Sequence, residues 1–124
     1  MGKRLANGEI SEEDIHKTLM QWIRIHPELK GKEKFFIHIP NEGRRSPRYG
    51  RLMKDLGLRS GVSDILIAMP CKGFGGAWIE LKSKSGVLSD HQKEFLEDMK
   101  RQNYFTAVCY SIDEAIRVIE GYCF

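Results

Sequence analysis

The spacing of hydrophobic positions changes along the chain, and each spacing predicts one type of element. Apolar residues at helical intervals after Ser11, a typical N-cap, predict a helix over residues 12–25. Alternating residues between 35 and 39 predict a strand closed by Pro40. The remaining pattern predicts a charged loop at 30–34, a short helix at 47–55, strands at 64–69 and 77–82, a helix at 90–102, a strand at 104–110, and a helix after Ser111.

This order of elements predicts a mixed α/β sheet flanked by helices. Residues 71–76 contain three glycines and form a hairpin loop, so the strands on either side of it should run antiparallel. The helix at 90–102 then acts as a crossover that places the fourth strand parallel to the third. A chain of 124 residues is sufficient for one domain over residues 1–124, with residues 1–10 as a flexible N-terminal tail.

Composition narrows the class of protein without defining a function. Hydrophobic residues make up 41% of the chain and charged residues 30%, which excludes a fibrous or wholly disordered protein. No apolar run is long enough to cross a bilayer, and the N-terminus lacks the pattern of a signal peptide. The three cysteines have no CxxC spacing, so we expect neither a zinc site nor a disulfide framework, and a cytoplasmic location.

The strongest candidates for catalytic residues are Asp64, Glu80 and Lys82. Antiparallel pairing about the hairpin loop is expected to place Asp64 nearly opposite Lys82 and diagonal to Glu80. Two carboxylates this close can share Mg²⁺ or Mn²⁺, and a nearby lysine can stabilise charge that develops on a phosphate. The pattern therefore indicates metal-assisted phosphodiester hydrolysis. An ion pair at the surface of a strand end also fits this spacing.

Four short motifs carry a resemblance to known nucleases. The segments at 61–64 and 78–82 resemble the signature of the PD-(D/E)XK superfamily, although Ser63 stands where the superfamily name has proline. With the segments at 41–45 and 88–92, they resemble the VRR-NUC family, the virus-type replication-repair nucleases. The similarity extends over residues 12–120. The motifs are Asn41-Glu42-Gly43-Arg44-Arg45, Gly57-Leu58-Arg59-Ser60-Gly61-Val62-Ser63-Asp64, Glu80-Leu81-Lys82 and Leu88-Ser89-Asp90-His91-Gln92.

The resemblance implies an αβββαβ core and assigns a role to each matching residue. Asp64 and Glu80 resemble the metal ligands of the family, with the backbone carbonyl of Leu81 as a further ligand. Lys82 corresponds to the catalytic lysine. Gln92 matches a glutamine of the active site, but Ser89 and Gln92 also have the spacing of a helix capping box, so both interpretations remain open.

Other charged residues are candidates for supporting roles. An acid on the first helix often completes the metal site in this superfamily, and Glu12 is placed better for this than Glu13; a simple helix N-terminal acid is the alternative. Glu42 is a possible auxiliary acid. The stretch 41–60 carries six basic and two acidic residues, a net charge of 6 − 2 = +4, which indicates either a phosphate-binding surface or a solvated loop. The expected DNA contacts are Arg44, Arg45, Arg48, Arg51 and Lys84.

The resemblance therefore implies a metal-dependent endodeoxyribonuclease that cuts branched DNA. Stand-alone domains of this family resemble homodimeric Holliday junction resolvases, and a two-fold dimer suits a four-way junction. A nuclease for flaps or nicks, or a non-catalytic DNA-binding module, are the alternatives. No nucleotide cofactor is expected, because the glycines at 73–76 precede a strand rather than a helix, and the four histidines show no metal-ligand spacing.

Overall fold

The computed structural model describes residues 8–40 and 47–124, in which helices and strands alternate as a mixed α/β fold. The α/β fold predicted from the sequence is confirmed. Its elements are helix α1 (Glu12–Ile25), a 3₁₀ helix (Lys30–Phe35), strand β1 (Phe36–His38), helix α2 (Pro47–Asp55), strands β2 (Ile65–Ile67) and β3 (Ala77–Leu81), helix α3 (Asp90–Arg101), strand β4 (Phe105–Cys109) and helix α4 (Ile112–Cys123).

The four strands form one sheet in the order β1-β2-β3-β4. The first two pairings are antiparallel, and the β3–β4 pairing is parallel, as the crossover through α3 requires. The carboxyl ends of β1 and β3 and the amino end of β2 therefore meet at one end of the sheet, which we call the site edge. Helices α1 and α4 pack together in the core. The core includes Ile15, Leu19, Ile23, Ile65, Ile67, Ile79, Ala115 and Ile119.

The register of the β2–β3 hairpin differs from the sequence-based expectation. Ile65 pairs with Ile79, so continuing by one residue sets Asp64 opposite Glu80 rather than opposite Lys82. The tight turn at Lys72 and Gly73, both at positive φ, explains the shift. Cys71 pairs with Phe74 at the turn, and Ile67 pairs with Ala77 in the sheet. The chain advances four positions from Ile67 to Cys71 but only three from Phe74 to Ala77. The turn is centred between Lys72 and Gly73 rather than on Gly73, which moves the pairing by one position, and the extra residue on the β2 side moves it by a second.

The beginning of the described chain is hydrogen-bonded to the segment after β3. The Glu9 carboxylate accepts hydrogen bonds from the Ser85 backbone N–H at 3.1 Å and from its Oγ at 2.9 Å. Residues 1–7, the remainder of the expected N-terminal tail, lie outside the described residues. In the parts of the chain that the structure describes, no helix combines the length and the apolar character needed to cross a membrane.

Candidate active site

The site edge opens into a cleft of about 770 Å³ between α1, the end of β1 and the β2–β3 pair. The corrected register is what places the carboxylates of Asp64 and Glu80 next to each other on neighbouring strands. Both acids line the cleft, so they face the same accessible space. The lining also includes Glu12, Glu13, His16, His38, Leu81 and Gln92.

Glu80 is a buried acid with incomplete hydrogen bonding. Its side chain is 2% exposed; Oε2 accepts from Gln92 Nε2 at 3.2 Å and lies 3.8 Å from Lys82 Nζ. Oε1 has no hydrogen-bond partner among the described residues. Burial, followed by the charge of Asp64, raises the pKa of Glu80 to about 8, although Lys82 acts in the opposite direction. The protein without a cation therefore holds a proton on this carboxyl group near neutral pH.

Asp64 is fixed at both its side chain and its backbone. Its Oδ2 accepts a hydrogen bond of 2.7 Å from the backbone N–H of Leu81, on the neighbouring strand. Its backbone carbonyl accepts from the Ile39 N–H at 2.9 Å, just after β1. Asp64 therefore has a defined position at the site edge, although it precedes the first residue of β2.

Lys82 follows the last residue of β3 and is 8% exposed. Its backbone N–H donates to the Cys109 carbonyl at 2.9 Å, which extends the parallel pairing past the strand end. Gly86 lies so close to the Lys82 stem that an added Cβ would be 3.2 Å from Lys82 Cβ. The pairing of Lys82 with Glu80 is buried, so it differs from the solvated surface ion pair that the sequence left open.

Gln92 satisfies both interpretations that the sequence allowed. Its Oε1 accepts from the Ser89 N–H at 2.8 Å and its backbone N–H donates to Ser89 Oγ at 3.1 Å, which completes the capping box of α3. Its Nε2 donates to Glu80 Oε2. Capping fixes the direction of the amide, and the amide in turn orients the Glu80 carboxyl group.

A close approach of two backbones positions this glutamine. Gly61, at φ +80°, lies against the first turn of α3, where an added Cβ would be 2.4 Å from the His91 carbonyl oxygen. Only glycine permits both this conformation and this distance. The loop that leads to Asp64 and the helix that carries Gln92 are therefore in direct contact.

The remaining predicted residues differ in whether they line the cleft that contains Asp64 and Glu80. Glu12 and Glu13 both line the cleft; the Glu12 charge adds a small increase to the pKa of Glu80, whereas Glu13 lies 3.9 Å from Lys17 Nζ. Exposed basic residues occupy α2 and the segment after β3. These are the predicted DNA contacts Arg48, Arg51 and Lys84, together with Lys54. Glu42, Arg44 and Arg45 lie outside the described residues.

The sequence did not indicate that two histidines meet in the cleft. His16 on α1 and His38 at the end of β1 have ring centroids 4.6 Å apart, in an edge-to-face arrangement. Their separation of 22 positions gives no local motif. The only available signal was that both lie on predicted elements whose ends approach the site edge.

The oxygen donors at the site edge fit a hard divalent cation. Among the described residues, no three His, Cys, Asp or Glu side chains are grouped closely enough to hold a metal ion. Asp64 and Glu80 nevertheless provide two adjacent carboxylates, and Glu80 Oε1 is buried without a partner among those residues. A magnesium-type ion is commonly held by one or two carboxylates, with water and substrate phosphate completing its coordination. The residues therefore fit such an ion, with open positions for substrate.

Two carboxylates and a buried lysine thus lie together at one end of the sheet of an α/β fold. The model of the VRR-NUC domain family matches residues 10–113, so the chain belongs to this family of nucleases. A solved structure of a VRR_NUC domain protein has a TM-score of 0.79 and 24% identity, over 92% of this chain and 88% of that chain. This similarity confirms the fold. Among curated proteins, none matches this chain.

Proposed function

We propose that this protein is a Mg²⁺- or Mn²⁺-dependent endonuclease that hydrolyses phosphodiester bonds in branched DNA. The observation that carries the proposal is the buried Glu80 carboxyl, with one oxygen unpartnered among the described residues, beside Asp64 and Lys82 in an open cleft. Membership of a nuclease family supports the reaction class. A carboxyl oxygen that is buried without a partner is unfavourable in a purely structural role, and a bound cation would satisfy it.

The proposed mechanism assigns one task to each residue. Asp64, Glu80 and the Leu81 carbonyl would hold the cation, with Glu12 as a further candidate from α1; the cation supplies an acidified water and stabilises charge on the phosphate. Lys82 Nζ, which is buried 3.8 Å from Glu80 Oε2, would stabilise negative charge that develops on the phosphate. Gln92 holds Glu80 Oε2 in place. Gln92 thus acts through Glu80 and is a positioning residue.

The proposed DNA-binding surface comprises basic residues between β1 and β2 in the chain, together with Lys84 after β3. Arg48 and Arg51 have exposed side chains on α2, and Lys84 is exposed just after β3. Arg44 and Arg45 belong to the same basic stretch of the sequence. Phosphate contacts of this kind give affinity without base recognition, which suits an enzyme that recognises DNA shape.

We further propose a four-way DNA junction as the substrate and a homodimer as the active form. The resemblance to stand-alone VRR-NUC domains supports both. Two symmetry-related sites would cut equivalent strands of a junction in one complex. Equilibrium sedimentation checks the dimer: the expected species has about twice the 14.3 kDa chain mass. A species of one chain mass at micromolar concentration would contradict the resolvase proposal and leave the nuclease proposal standing.

A substrate panel tests the proposed function directly. The full chain is incubated with labelled four-way junction, flap, nicked and linear duplex DNA in Mg²⁺, Mn²⁺ or EDTA. We expect cleavage of the junction with either cation and none in EDTA. Faster cleavage of flaps or nicks would replace the substrate assignment with the repair-nuclease alternative. Binding of all substrates without cleavage in any cation would indicate a non-catalytic DNA-binding module.

A further inference from the structure

The end of β1 contacts the backbone of Asp64 through a second hydrogen bond that the proposed mechanism does not use. His38 Nδ1 lies 3.2 Å from the Asp64 carbonyl oxygen. A carbonyl oxygen only accepts, so this hydrogen bond requires a proton on Nδ1. The same oxygen already accepts from the Ile39 N–H. Two consecutive residues of one strand end therefore hold a single peptide group of the neighbouring chain segment.

This peptide group lies at the last antiparallel contact between the two chain segments, just beyond the strand ends. β1 ends at His38 and β2 begins at Ile65, so Asp64 stands just outside both. Its side chain is held by the Leu81 N–H, but the direction of that side chain also depends on the orientation of the backbone that carries it. The His38 contact restricts this orientation from the side opposite β3.

The ring of His38 is itself held in place. His16, one helical turn after Glu12, contacts it edge to face with ring centroids 4.6 Å apart. Both rings line the cleft, and His38 is exposed at its mouth. An exposed imidazole with a defined rotamer and a proton fixed on one nitrogen differs from an ordinary surface histidine. Partners of this type, which orient a ligand residue without being ligands, influence metal affinity strongly in metalloproteins.

We propose that His38 is a positioning residue for Asp64, and that His16 maintains the rotamer in which His38 reaches the Asp64 carbonyl. This inference rests on the proposed function, because it takes Asp64 as a ligand of the divalent cation. It adds His16 on α1 and His38 on β1 to the residues that the sequence motifs assign to the site.

Three substitutions of His38 separate the hydrogen bond from every other property of the ring. His38→Asn retains an N–H donor at the position of Nδ1, His38→Gln moves the donor to the position of Nε2, and His38→Phe retains a ring without a donor. His16→Phe, which keeps a ring against His38, is compared with His16→Ala. The readout is Mn²⁺ binding to metal-free protein by titration calorimetry, with no DNA present. Thermal unfolding in EDTA establishes that each variant is folded.

We expect His16→Phe to bind Mn²⁺ as the wild type does, and His38→Gln, His38→Phe and His16→Ala to bind about 5- to 10-fold more weakly. His38→Asn, which retains the donor but loses the ring contact with His16, should bind Mn²⁺ more tightly than His38→Gln. Asn and Gln are both polar and tolerated at an exposed site, so their comparison stands if His38→Phe does not fold. Wild-type affinity in His38→Gln, or equal losses in His38→Asn and His38→Gln, would overturn the inference. A wild-type protein that binds no Mn²⁺ would instead overturn the proposed function, and this inference with it.

Discussion

Glu80 shows most clearly how the chemistry of the site arises from single residues. It is buried beside another acid, and its nearest cation, Lys82 Nζ, lies at 3.8 Å, beyond the distance of a direct hydrogen bond. The result is a carboxyl group whose pKa is raised to about 8. A divalent cation between Asp64 and Glu80 would counteract this rise in the pKa, because its positive charge favours the ionised form of both carboxyl groups.

The raised pKa predicts how the stability of the metal-free protein depends on pH. Between an ordinary pKa of 4.5 and the folded-state pKa of about 8, the folded protein retains a proton on Glu80 that the unfolded chain releases. The stabilisation from this proton is complete below pH 4.5 and is lost as the pH rises through 8, so the free energy of unfolding falls across this window.

Thermal unfolding in EDTA from pH 5 to 9 measures this effect. We expect the wild-type Tm to fall by several degrees more than that of Glu80→Gln, at about 4–8 °C per kcal/mol. The glutamine variant is the control because it has nearly the same shape and no proton to release. Parallel Tm curves for the two proteins would show that Glu80 is ionised in the folded state throughout this range.

At the level of elements, the site depends on the contact between the loop before β2 and the first turn of α3. The loop carries Asp64 and the helix carries Gln92, and Gly61 allows their backbones to approach. Neither element holds the site alone. A change at this contact should therefore alter activity and stability together.

Substitution of two glycines in the same loop isolates the contact. Gly61 and Gly57 both have positive φ, at 80° and 106°, but an added Cβ clashes with the His91 carbonyl at Gly61 and meets nothing within 4 Å at Gly57. We expect Gly57→Ala to lower the free energy of unfolding by about 1 kcal/mol through backbone strain. Gly61→Ala should cost about 2 kcal/mol more and greatly slow cleavage. Chemical denaturation with single-turnover cleavage checks both; equal effects would contradict the importance of the contact.

Local patterns explain which elements the sequence predicted well. Ser11, the helical spacing after it and the capping box at Ser89 are local signals, and they gave α1 and the start of α3 at the observed residues. The strands are shorter than expected, and residues 30–34 belong to a 3₁₀ helix rather than a loop. The predicted hairpin register was wrong because it depends on the position of the turn and on the extra residue between Ile67 and Cys71. Contacts between distant elements, such as His16 with His38, leave no pattern in a single sequence.

At the scale of the whole molecule, charge is distributed unevenly. The chain has a net charge of +3, whereas the stretch 41–60 alone carries 6 − 2 = +4. The cleft, in contrast, is lined by four acidic residues, Glu12, Glu13, Asp64 and Glu80, and by one basic residue, Lys17. We therefore expect the basic stretch to attract DNA, and a cation in the cleft to reduce the repulsion between the acidic residues and a phosphate.

This charge distribution predicts the salt dependence of DNA binding. Replacement of Arg48 and Arg51 with alanine should weaken binding and reduce the log–log salt slope by about one for each phosphate that the variant no longer neutralises. The matched control replaces Lys30 and Lys32, two exposed lysines of the 3₁₀ helix before β1, with the same change in charge. Gel-shift titrations in Ca²⁺ at several salt concentrations measure both slopes. Equal slopes for the two double variants would show that α2 does not contact DNA.

Single-turnover cleavage of a four-way junction by Lys82→Ala, beside a gel-shift titration in Ca²⁺, is the most direct test of catalysis at the site edge. Lys82 should stabilise charge that develops only in the transition state, so we expect cleavage to slow by about 10²- to 10³-fold while DNA affinity stays near the wild-type value. Lys93→Ala, an exposed lysine on α3, controls for the removed charge. Asp64→Asn should also be inactive, because it no longer binds the metal. Cleavage by Lys82→Ala at the wild-type rate would contradict the assignment of Asp64, Glu80 and Lys82 as a nuclease active site.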